Sequence, residues 1–109
     1  MRFWLSLTMS LLAAGCSSQP RVCGESFCMP VGAKLISRET PVDDFNIYRV
    51  DYDGQRFLIY EGNAPARRPR SVVLETKQKR WPQFVEVNGP CANDRDCATR
   101  SFAAKISLR

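Results

Sequence analysis

Cysteine is the residue type in this chain with the widest chemical scope. The sequence holds five cysteines and no histidine. Without histidine there is no Ser-His-Asp triad, no Cys-His dyad, no imidazole metal ligand and no imidazole pH switch. Cys23, Cys28, Cys91 and Cys97 fall into two close pairs, spaced C-x4-C and C-x5-C. An even set in a small domain of an oxidising compartment reads as two disulfides, and four cysteines allow three connectivities. Crossed pairing would close long loops, which stabilise more in the chain-entropy model. Residues 90–97 read as a turn between extended runs, so a bond across that turn is natural, and local pairing is slightly favoured. A zinc site built from all four is the competing chemistry. Structural zinc prefers C-x2–4-C spacing, which the second pair exceeds. No C-x-x-C motif is present for thioredoxin-like redox work.

Other catalytic constellations are missing. Gly24-Glu25-Ser26-Phe27-Cys28 only superficially resembles G-x-S-x-G, and no histidine exists to activate Ser26. There is no S-x-x-K, P-loop or G-x-G-x-x-G. The acidic pairs Asp43/Asp44, Asp51/Asp53 and Asp94/Asp96 are spaced as turn residues, which serve the backbone through local hydrogen bonds. Calcium at residues 93–96 is disfavoured by Arg95 among the would-be ligands. The expectation is a protein that is not an enzyme, with no catalytic residue, metal or cofactor.

The N-terminus has the parts of an export signal. Arg2 is a short positive region, residues 3–12 are mainly apolar, and Ala13-Ala14-Gly15 is a run of small residues. An apolar stretch of this length suits a signal, which needs only about 7–15 residues, and falls short of a membrane span. Leu12-Ala13-Ala14-Gly15-Cys16 resembles the lipobox of bacterial lipoproteins. The resemblance implies cleavage before Cys16 and lipid attachment to its thiol. It divides the chain into a signal peptide at 1–15, a lipid-anchored tether at 16–21 and a domain at 22–109. Ser17 follows the cysteine where Asp would hold such a protein at the inner membrane. The destination implied is the outer membrane, facing the periplasm. Two or more acyl chains give a stable anchor, and the short tether would keep the domain near the membrane surface.

The charge balance is 16 basic against 11 acidic residues, or +5. Much of the excess is local. Arg67, Arg68 and Arg70 lie in a proline-punctuated stretch, and Lys77, Lys79 and Arg80 lead into Trp81. Proline predicts a stiff, extended linker that presents its arginines outward. Tryptophan and arginine together suit a protein interface or anionic head groups. The plainer alternative is a solvated loop beside a charge-defended edge strand. Nucleic acid is not expected as a partner, because export removes the opportunity.

The elements that must position these residues read as strands. At 109 residues the chain can hold one small domain, and 44% hydrophobic with 25% charged residues is a folding composition. Phe45–Tyr52 and Gln55–Gly62 flank Asp53-Gly54, a type I′ hairpin signal. The turn fixes the register from Tyr52 opposite Gln55 to Ile47 opposite Tyr60. Tyr48, Val50, Phe57 and Ile59 then share one face, and Phe45, Ile47, Leu58 and Tyr60 the other. Apolar residues on both faces favour a hairpin buried on both sides, with a partner surface as the alternative. Further strands are predicted near 34–38, 71–77 and 83–88, the last starting afresh after Pro82 or lying on an edge. Residues 101–108 alternate apolar and polar and predict a strand. The fold class expected is all-β, a small antiparallel sandwich or partly open barrel of five to six short strands, stapled by disulfides.

A lipid-anchored domain without catalytic motifs is expected to work by binding, as an accessory or structural subunit of an envelope assembly. A periplasmic inhibitor of a hydrolase, of lysozyme or protease type, is the second reading.

Overall fold

The computed structural model describes residues 20–109. The signal-like segment 1–15 and Cys16 lie outside the described residues. The fold grows from the hairpin. Strands β3 (Phe45–Tyr52) and β4 (Gln55–Gly62) meet at Asp53 and Gly54, both at positive φ, 52° and 76°. That is what a type I′ turn requires. The register is the one the turn dictates, with Val50 opposite Phe57 and Tyr48 opposite Ile59.

Three more antiparallel strands extend this pair. They are β2 (Lys34–Val42), β5 (Val72–Glu75) and β6 (Phe84–Asn88). The order across the sheet is β2-β3-β4-β6-β5. β6 does start afresh after Pro82, but it lies inside the sheet, with β5 at the edge. Pro82 precedes the strand, so no ladder N–H is lost. Short strands β1 (Phe27–Cys28) and β7 (Ser107–Leu108) form a separate two-stranded ribbon. The architecture is antiparallel β and open, and its disulfides are local, Cys23–Cys28 and Cys91–Cys97.

One segment departs from expectation. The predicted strand at 101–108 is instead a helix, α1 (Ala98–Ala104), followed only at its end by β7. Thr99, Phe102 and Ala103 are its buried residues, at the i, i+3, i+4 spacing of a helix face. Ala104, which a two-residue period would bury with Phe102, is exposed. The ring of Phe102 decides the matter. It stacks on Phe57 at 4.4 Å and meets Tyr52 edge-on at 5.4 Å. A helix delivers that ring to the sheet while Cys97, at its N-cap position, is held to Cys91.

The core lies on one face of the sheet. Tyr48, Val50, Phe57, Ile59, Val85 and Val87 are buried there beneath Phe27, Met29 and Phe102. The expectation of a hairpin buried on both sides is corrected. Phe45, Ile47, Leu58 and Tyr60 on the opposite face are only half-buried. The physical reason is that α1 and the β1–β7 ribbon both contribute to the same side of the sheet. We expect Phe102→Ala to destabilise the protein by about 3–5 kcal/mol, the usual cost of deleting a buried ring. Urea unfolding followed by circular dichroism measures it. A loss well under that would place the helix off the core.

Candidate functional site

The uncovered face forms a groove of ≈ 590 Å³. This is within the range of about 300–1,000 Å³ seen for ligand sites. Strand alternation supplies its floor. Ile47 comes from β3, Leu58 and Tyr60 from β4, and Phe45 stands at one end. Asn63, Ala64, Ala66 and Arg68 of the 63–71 loop line one wall, and Trp81 and Asp44 complete the rim.

Local hydrogen bonds fix the rings. The backbone N–H of Ala64 donates to the Tyr60 hydroxyl at 2.8 Å. Trp81 donates its Nε1–H to the Asp44 carbonyl at 2.6 Å. Both aromatic side chains thus use their polar ends inside the protein and leave their ring surfaces for apolar contact. Phe45 and Tyr60 pack at 5.5 Å between centroids. Glycine at 62 permits this, since a Cβ there would stand 2.5 Å from the Tyr60 hydroxyl and 2.9 Å from the Phe45 Cβ.

Glu86 anchors the wall. It lies opposite Tyr60 in the ladder and is 1% exposed. Its Oε2 accepts the Arg68 backbone N–H at 2.9 Å and the Ser71 hydroxyl at 2.6 Å. Burial pushes this carboxyl up, but the hydroxyl of Ser71 and the backbone N–H groups of Arg68, Arg67 and Ala66 outweigh it and hold it below the usual range. A buried carboxylate thereby folds the basic loop onto the sheet.

The predicted basic patch is divided by this arrangement. The linker is not extended, because Arg67 and Arg70 take positive φ of 57° and 65° and turn the chain back. Arg67 lays its guanidinium 5.5 Å from the centre of the Phe84 ring, and Arg68 lines the groove. Arg70 instead donates to the carbonyls of Cys91 and Ala92, at 3.0 and 2.5 Å, and braces the disulfide loop. Lys77, Lys79 and Arg80 are exposed in the loop between β5 and β6, beside Trp81. In the disulfide loop Asn93 Oδ1 accepts the backbone N–H groups of Arg95 and Asp96, the turn role expected of it.

A second polar cluster lies on the core face and was not anticipated. Glu61 is 0% exposed. Its Oε2 accepts the Ser26 backbone N–H at 2.8 Å and the Ser26 hydroxyl at 2.6 Å. Its Oε1 accepts Asn46 Nδ2 at 3.0 Å and the Tyr48 hydroxyl at 2.5 Å. Burial pushes the Glu61 carboxyl up, yet donation from Ser26, Tyr48 and Asn46 prevails and holds it below its ordinary value. Burial, with Glu61 alongside, raises the Tyr48 phenol, which stays a neutral donor. Gly24 lets the chain pass this close, since a Cβ there would lie 2.7 Å from the Tyr48 hydroxyl. The cluster is closed to solvent and pins the segment around Ser26 to the sheet. Its signal in the sequence was the alternation itself, because Asn46 and Glu61 extend the core-facing rows of β3 and β4.

No protein-family model, curated protein or solved structure matches the chain.

Glu61 makes stability depend on pH. Its folded-state value is depressed, so its contribution is fully present above the unfolded value of 4.5 and is lost as pH falls through the folded value. We expect Glu61→Gln to cost about 2–3 kcal/mol at neutral pH, the scale of a lost charge-assisted hydrogen bond in a buried site. The cost should shrink as pH falls below the unfolded value of 4.5 and through the lower folded value, where the native carboxyl itself takes up a proton. Urea titrations across pH measure both. An unchanged gap between the two proteins at low pH would contradict the assignment.

Proposed function

We propose that this protein is an exported, lipid-anchored module of the bacterial envelope that acts by binding, as an accessory subunit of an envelope assembly. The observation that carries the reading is the groove. A five-stranded sheet leaves Phe45, Ile47, Leu58 and Tyr60 half-buried, with the rings of Tyr60 and Trp81 already fixed by internal hydrogen bonds. Rigid aromatic and aliphatic anchors set in a concave surface are what a partner needs to gain affinity without ordering the site. The resemblance of Leu12–Cys16 to a lipobox supports attachment through Cys16. Two local disulfides suit an oxidising compartment.

Cross-linking in intact cells followed by affinity capture tests this. The wild-type protein is expected in the membrane fraction, joined to one defined envelope complex. Leu58→Asp should lose the complex with an unchanged unfolding midpoint, and Cys16→Ala should leave the membrane. Undiminished capture by Leu58→Asp would remove the groove from the binding surface, and recovery of a soluble hydrolase would favour the inhibitor reading.

A further inference from the structure

Arginine pairing is uneven over the surface. Arg38 pairs with Glu25 at 3.6 Å, Arg49 with Glu39 at 2.7 Å, Arg100 with Asp94 at 3.3 Å, and Arg56 with Asp51. Arg21, Arg70 and Arg109 donate to Ser107, to Cys91 and Ala92, and to Gly24. Around the groove, as at Arg95 in the disulfide loop, the pattern stops. Among the described residues Arg67 and Arg68 form no ion pair, nor do Lys77, Lys79 and Arg80 in the loop that carries Trp81. The acid on the groove floor, Glu86, is buried and already hydrogen-bonded by Ser71 and the backbone N–H groups of its own wall. The one acid on the rim, Asp44, sits with Trp81 at the end where the indole crosses to β3. The groove therefore has an apolar floor, a wall that carries Arg68 with Arg67 next to it over the Phe84 ring, and an acid, Asp44, at one end.

We infer that the groove holds a segment of a partner protein with an apolar or aromatic anchor followed by one or more carboxylates. The inference rests on the partner-binding reading and names the chemistry of the bound segment. The anchor lies over Leu58, Tyr60 and Trp81. The carboxylates reach Arg67 and Arg68, and the segment runs so that its acids lie away from Asp44. An open trough favours a segment laid along it over a ligand that needs enclosure on all sides. The anchor supplies affinity, while the arginines select the partner and speed encounter.

The experiment places p-benzoylphenylalanine at Ile47 of the full-length protein in its native cells, with sequencing of the photo-adduct. The expected adduct is a partner segment with Asp or Glu within a few residues of an aliphatic or aromatic one. Arg67→Glu with Arg68→Glu should lower its yield roughly tenfold, as reversing charges at a complementary rim does. Changing that segment's acids to lysine should restore yield in the reversed protein only. Arg95→Glu, in the disulfide loop, should leave the yield unchanged. An adduct on a segment without acids, or a yield indifferent to charge reversal, overturns the inference and leaves the partner-binding reading standing. An adduct on lipid or glycan, or none at all, overturns both.

Discussion

A five-stranded sheet has two faces, and the helix and ribbon of this chain both go to the same one. Phe102 from the helix and Phe27 from the ribbon close over Tyr48, Phe57 and Ile59 and bury them. The other face keeps its apolar residues half in water. An apolar sheet face open to solvent is costly unless something covers it. Among the described residues only the 63–71 loop and Trp81 do so, and only at the rim. The binding role proposed for the groove follows from that imbalance.

Two buried carboxylates hold the arrangement in place, one on each face. Glu61 collects Ser26, Asn46 and Tyr48 on the core side and fixes the N-terminal segment to the sheet. Glu86 collects Ser71 and the loop backbone on the groove side and fixes the wall. Each carboxylate is satisfied by neutral donors, with no guanidinium spent on it. This matters because the arginines on the wall stay available. A buried ion pair with Glu86 would have consumed the charge that the groove presents.

What was legible in the sequence was local. The Asp53-Gly54 turn set the register from Tyr52 opposite Gln55 to Ile47 opposite Tyr60, and alternation then sorted the two faces. Both disulfides close short loops, so the local pairing could be favoured from turn residues alone. Two things were not legible. The 101–108 stretch alternates as a strand would, and only the docking of Phe102 on Phe57 shows that a helix wins. The basic linker looked extended because of its prolines. Its turned form depends on Glu86, which lies 18 residues from Arg68 along the chain. Contacts of that separation leave no periodic trace. For the same reason Arg70 looked like part of a binding patch, although it braces the Cys91–Cys97 loop.

One face of the sheet is core and the other is open to a ligand. Methyl NMR with a soluble paramagnetic agent reads it directly. The methyls of Ile47 and Leu58 should relax strongly, while those of Val50, Ile59, Val85 and Val87 stay protected. Equal protection of both sets would mean that a second layer covers the groove and would contradict an open face.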